Sequence, residues 1–141
     1  MRWLALVAAL ALCGALGGCA TDVGPSQAEL RARWDAENVY PQNYKGDLLA
    51  FLRTYLNDPE HVRAAQVSLP VRKTVGPGER FVACVRYRTR GDGGKYGPAT
   101  NGVATYVSGR LDRYFDDAAQ VKALCADVAL QPFPELEKLT R

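Results

Sequence analysis

Arg80-Phe-Val-Ala-Cys-Val-Arg-Tyr-Arg88 and Val103-Ala-Thr-Tyr-Val-Ser-Gly-Arg-Leu111, joined through Gly91-Asp-Gly-Gly-Lys-Tyr-Gly-Pro98, decide how this chain folds. Both runs are dense in Val, Tyr, Phe and Thr, whose branched or aromatic side chains fit a pleated surface. The connection is crowded with the Gly, Pro and Asp residues that turns require. The pair predicts an antiparallel hairpin, the floor of a small sheet.

Upstream, Val67, Leu69, Val71 and Val75 alternate with Gln66, Ser68, Pro70, Arg72 and Thr74, the period of a half-buried strand. Pro70 has no N–H to give a ladder, so this third strand lies at an edge or breaks there. Gly76-Pro77-Gly78 turns it into the hairpin. Along the hairpin, Phe81, Ala83, Val85 and Tyr87 share one face, and Val103, Thr105, Val107 and Leu111 are expected beside them. The opposite face carries Val82 and Cys84, then Arg86, Arg88 and Arg90, with Tyr106, Arg110 and Asp112 across the ladder.

Two helices precede the sheet. Ser26-Gln-Ala-Glu29 fits a capping box, with Leu30 and Trp34 behind it, and predicts a helix over 27–38 that Tyr40-Pro41 ends. Leu48, Phe51, Leu52, Tyr55 and Leu56 then form a helical stripe wide enough to cover a sheet face. Asn57-Asp58-Pro59 stops it, and Asp58 is placed to cap one further turn. After the hairpin, 118–126 reads as a short helix bringing Cys125 towards Cys84. Val128, Leu130, Phe133 and Leu136 are then expected over Val82, with Pro132 and Pro134 preventing a regular helix between Gln131 and Glu135. The fold class is α+β: N-terminal helices on a three-stranded antiparallel meander, with the C-terminal segment tied to the sheet. The 141 residues suffice for one domain with one core.

The N-terminus belongs to an address rather than to that core. Met1-Arg2 is a positive start, and Leu4 to Leu16 is an apolar run of 13 residues, too short to span a bilayer as a helix. Gly17-Gly18 follows, which completes the anatomy of a secretory signal peptide. Leu16-Gly17-Gly18-Cys19 resembles the lipobox of bacterial lipoproteins. The resemblance implies cleavage before Cys19 and acylation of its thiol and new amino group. Several acyl chains hold a protein stably where one does so only marginally. Ala20, where inner-membrane lipoproteins of enteric type often carry Asp, implies the periplasmic face of the outer membrane, with the inner membrane as the alternative. Residues 1–18 are thus the signal peptide, 19–25 a tether and 26–141 the α+β domain.

Of four cysteines, Cys13 leaves with the signal peptide and Cys19 becomes the anchor. Cys84 and Cys125 remain as an even pair for an oxidising compartment, a predicted disulfide. Arg80-Phe-Val-Ala-Cys-Val-Arg-Tyr, Ser108-Gly-Arg-Leu-Asp-Arg-Tyr-Phe-Asp116 and the segment from Cys125 through Pro132-Phe-Pro-Glu-Leu-Glu137 resemble a group of small uncharacterised lipoproteins of Gram-negative bacteria. That resemblance covers most of the mature domain, supports the envelope address and lends no catalytic residue.

The inventory for catalysis is thin. His61 is the only histidine and is expected on an exposed turn, where a general base would still need an orienting partner and a nucleophile. Asp112, Asp116 or Asp117 could serve it in a hydrolase of cell-wall or lipid material. Asp116-Asp117 otherwise reads as a strand end and a helix cap. Ser108 lacks the preceding glycine of a nucleophile elbow and is expected on a strand beside a bulge at Gly109. The Gly91–Pro98 loop has neither the spacing of a phosphate loop nor the carboxylates of a calcium loop, leaving a flexible connection or an exposed contact at Tyr96. No cofactor and no metal site is expected. A formal charge of +3 is too small to imply nucleic acid on its own, since that argument needs a concentrated basic stripe.

The residues therefore predict a non-enzymatic envelope lipoprotein, a structural or partner-binding module meeting an envelope protein or peptidoglycan. A second reading is a binding module for small anionic ligands. Its donors would be Arg86, Arg88 and Arg110, joined by Arg72, because guanidinium groups match carboxylate and phosphate oxygens in pairs.

Overall fold

The computed structural model describes residues 24–140; the signal peptide, Cys19 and most of the tether lie outside them. The elements run α1 (Gln27–Glu37), α2 (Tyr44–Tyr55), β1 (Val62–Ser68), β2 (Val71–Val75), β3 (Gly78–Thr89), β4 (Thr100–Val107), β5 (Arg110–Phe115), α3 (Ala118–Cys125), β6 (Leu130–Pro132) and α4 (Pro134–Glu137). The class is α+β, as expected. The sheet has six antiparallel strands rather than three, in the order β5-β4-β3-β1-β6 with β2 beside β3.

Two breaks account for much of the larger number. The run through Pro70 is interrupted there: β1 pairs with β3 as far as Val67↔Val85, and β2 resumes at Val71↔Val82. Both lie on the same side of β3, one after the other. Cys84 sits opposite the gap, where its N–H donates to the Ser68 hydroxyl at 2.9 Å instead of to a strand carbonyl. The second break is at Ser108-Gly109. Their φ values of 50° and 74° are both left-handed, and Val107 pairs with Arg110. That is a two-residue hairpin turn of the kind that matches strand twist. The expected strand through Leu111 is thus two strands, and Ser108 lies in a turn rather than beside a bulge.

The register of β3 on β4 also differs from the expectation. Ala83 faces Ala104 and Cys84 faces Val103. Ala104 and Tyr106 therefore join Phe81, Ala83, Val85 and Tyr87 on one side, and Val103 lies on the other. Residues Gly102 through Tyr106 are buried on both faces, which removes the polar alternation that would have fixed their parity.

The first side of the sheet is covered by α2. Leu48 and Leu52 are fully buried against Ala83, Val85, Tyr87, Ala104 and Tyr106, and the Tyr106 hydroxyl donates to the Tyr44 carbonyl at 3.1 Å. The second side holds Val82, Cys84, Val103 and Leu124, with Val71, Val75, Val121, Val128 and Leu130 packed on them. The C-terminal segment contributes to both. Val128 and Leu130 pack on the disulfide side, whereas Phe133 and Leu136 pass round β6 into the α2 core, not over Val82 as expected. The Phe133 N–H donates to the Ala65 carbonyl at 2.8 Å and fixes that crossing.

The capping box of α1 forms, with the Ser26 hydroxyl accepting from Glu29 N–H and the Glu29 carboxylate accepting from Ser26 N–H. No α1 residue is fully buried; the helix docks through Trp34. Its indole N–H donates to the Glu79 carbonyl and its ring stacks on Arg80, whose guanidinium carbon is 3.5 Å from the centroid. A side chain at Gly78 would place its Cβ 2.5 Å from Trp34 Cδ1, so only glycine admits the indole here. Along the second face of β3, then, Gly78 and Arg80 lie under α1 and Val82 and Cys84 under α3. Arg86 and Arg88 emerge beyond that cover, exposed.

Candidate functional site

The C-terminal end of α2 and the far end of β3 border a polar cleft of about 920 Å³. Its walls include Tyr55, Asp58, Tyr87, Arg90, Asp92 and Asp116. Asp58 does not cap a helical turn. Its Oδ1 lies 2.8 Å from His61 Nδ1, and its Oδ2 accepts from Arg90 at 3.2 Å. Arg90 also lies 2.9 Å from His61 Nδ1. In the Nδ1–H tautomer His61 donates to Asp58; in the other tautomer Nδ1 accepts from Arg90. The hydrogen bond with His61 first, and after it the hydrogen bond from Arg90, hold the Asp58 carboxyl below the ordinary carboxylate range.

On the opposite wall the Tyr55 hydroxyl donates to Asp116 Oδ2 at 2.6 Å, and that bond pushes the phenol up to about 12. Behind it the Tyr87 and Tyr114 hydroxyls stand 3.3 Å apart, both raised above the usual phenol range chiefly by burial. The pairing of His61 with Asp112, Asp116 or Asp117 is not assembled. Asp112 faces Arg113 at 3.6 Å, Asp116 holds Tyr55, and Asp117 caps α3 by accepting from Gln120 N–H at 2.9 Å. His61 instead clasps the α2–β1 turn to the end of β3.

The predicted arginines divide between two places. Arg86 and Arg88 share the disulfide face. Arg72 lies opposite Phe81 on the α2 side, 5.6 Å over its ring and 3.8 Å from Glu79. Arg110 stands at the β4–β5 turn, 3.8 Å from Asp47. Arg72 and Arg110 are therefore not neighbours of Arg86 and Arg88: the interruption at Pro70 and the turn at Ser108-Gly109 send them elsewhere.

Two further residues join Arg86 and Arg88 in their place. Gln66 faces Arg86 across the ladder and Arg63 faces Arg88. Arg63 lies 4.5 Å over the Tyr96 ring, and Arg88 donates to the carbonyls of Gly97 at 2.8 Å and Tyr96 at 3.4 Å. The glycine-rich loop is thereby pinned at Tyr96, which also bridges to Arg90. Arg63 escaped the sequence pattern because β1 is irregular between Arg63 and Gln66, where Ala64 has a φ of 52°. One extra residue there destroys the alternation that would have announced a strand.

The predicted disulfide is present. Cys84 and Cys125 are bonded with their Cα atoms 5.9 Å apart. Among the described residues no group of three or more His, Cys, Asp and Glu could hold a metal ion, and no helix is long and apolar enough to cross a membrane. Comparison with family models, curated proteins and solved structures finds no match.

Proposed function

We propose that this chain is a lipid-anchored envelope protein whose folded domain binds a partner at the periplasmic face of the outer membrane, without catalysing a reaction. The observation that carries the reading is Leu16-Gly17-Gly18-Cys19 directly after an apolar run, in a chain whose other two mature cysteines are bonded to each other. A cysteine at that position, outside the Cys84–Cys125 pair, has a use as a lipid attachment point. The described domain supports a binding role by its clasped loops and by surface arginines that carry no internal counter-charge. The partner class that fits is an envelope protein or peptidoglycan, reached by a short tether.

Metabolic labelling with a fatty acid tests the anchor. Parent protein should take up label and fractionate with outer membrane, and Cys19→Ser should do neither. Label retained in the variant overturns the anchor; inner-membrane fractionation overturns the sorting alone. Site-directed crosslinking from the domain surface should then recover one reproducible envelope protein or muropeptide. Recovery of the free monomer alone under several conditions counts against partner binding.

A further inference from the structure

The arginines of this sheet are not treated alike. Arg72, Arg80, Arg90, Arg110 and Arg113 each stand within ion-pair distance of an acid: Glu79, Glu37, Asp58, Asp47 and Asp112. Arg86 has no hydrogen-bond or ion-pair partner among the described residues, and the partners of Arg88 are carbonyl oxygens. The two lie two residues apart on one strand face, so their guanidinium groups repel unless an anion sits between them.

They also line a groove of about 400 Å³, with Gln66, Ala64, Ala99 and Glu137. The alanines keep its floor low. The carbonyls behind Arg88 fix that guanidinium, which lowers the ordering cost of using its remaining donors. Glu137 is anchored too, its Oε1 accepting from the Ala65 N–H at 2.8 Å. The groove thus sets two cationic forks near one immobilised carboxylate.

We propose that this groove is a binding site for a small zwitterion, an amino acid or the end of a short peptide. Its carboxylate lies between Arg86 and Arg88, with Gln66 donating from the facing strand. Its ammonium group points towards Glu137. Paired guanidinium donors suit a carboxylate's two oxygens. A phosphate suits the same donors, but a second negative charge beside Glu137 is unfavourable, which makes the zwitterion the better fit. The proposal rests on the partner-binding reading in one respect only, that a peptide terminus is what a cell-wall partner would present.

Arginine side-chain NMR on the full chain in detergent tests it, with glycylglycine, N-acetylglycylglycine and inorganic phosphate as probes at matched ionic strength. Glycylglycine should give saturable shifts at the Arg86 and Arg88 Nε–H signals. Arg86→Gln should weaken binding by about tenfold or more, since a charge-assisted pair is lost. Arg110→Gln should leave it within about twofold, as Arg110 lies outside the groove. Acetylation should weaken the dipeptide several-fold, and Glu137→Gln should abolish that difference while keeping an acceptor for Ala65.

Unshifted Arg86 and Arg88 signals overturn the site. So does equal weakening by Arg110→Gln, or binding of phosphate without the dipeptide. Amide spectra of each variant confirm that the fold survives; should Arg86→Gln misfold, Arg86→Lys keeps the charge but loses the paired donors and should still weaken binding. Each result is independent of fatty-acid labelling, so failure here leaves the anchor standing.

Discussion

Single side chains settle where the sheet could not satisfy itself. Ser68 is fully buried, and its hydroxyl takes the Cys84 N–H that the gap between β1 and β2 leaves without a carbonyl. Ser68→Ala should therefore cost about 1–3 kcal/mol, the penalty of an unsatisfied buried donor, read as a lowered urea midpoint at constant slope. A midpoint unchanged within error would mean that the N–H finds another partner. Tyr55 offers a pH test. Its phenol is raised to about 12 by the bond to Asp116, so it favours the folded state fully below about pH 10, its usual pKa. That contribution is lost as pH rises through about 12. Phenolate absorbance during alkaline titration should lose one late step in Tyr55→Phe, and that step should move to lower pH in Asp116→Ala. An identical curve for Asp116→Ala would disprove the assignment. Of such contacts the Ser26–Glu29 cap and the Asp117 cap of α3 were legible in the sequence, because their partners are local. Trp34 on Gly78, His61 on Asp58 and Arg90, and Ser68 on Cys84 depend on register, which local spacing does not encode.

Elements were legible where one face is wet and hidden where both are dry. The α2 stripe was clear, and Leu48 and Leu52 are indeed fully buried. Leu48→Ala should cost about 2–5 kcal/mol by cavity formation, measured by denaturant unfolding. A loss under about 1 kcal/mol would mean that α2 does not cover the core. The β4–β5 hairpin was not legible, because Ser108-Gly109 sits inside an unbroken β-rich run and the turn shows only in its backbone. β1 was half hidden by its bulge, where non-glycine Ala64 occupies a left-handed conformation. Ala64→Gly should relieve that strain and raise stability by up to about 1 kcal/mol in thermal unfolding, despite the larger unfolded-state entropy of glycine. A fall in midpoint would show that the methyl group packs usefully in the groove. The basic groove was half legible for the same reason. Arg86 and Arg88 follow from β3 parity alone, whereas Gln66, and Arg63 beside the groove, need the bulge.

At the scale of the whole molecule, one side of the sheet is closed by α2 and the C-terminal turn, and the other by α3 held through Cys84–Cys125. The bridge spans a sequence separation of 41 residues, and closing a loop of that length contributes about 4 kcal/mol in the chain-entropy model. Reduction should lower the thermal midpoint by about ten degrees or more, and a shift of only a degree or two would make the bridge incidental. The disulfide was legible because counting sufficed: once Cys13 and Cys19 are assigned to the leader and the anchor, two thiols remain. The path of the C-terminal segment was not, since Pro132 and Pro134 say where a helix stops but not which face the chain then visits. The address and the fold meet in this cysteine arithmetic, which a single measurement examines. Non-reducing peptide mapping by mass spectrometry, on protein taken from membranes, reports the state of every cysteine at once. It should find an N-terminal peptide beginning at Cys19 and carrying glyceride and acyl mass, with Cys84 and Cys125 in one linked pair and no free thiol. A mature chain retaining an unmodified Cys19, or one with Cys84 and Cys125 free, would contradict the account.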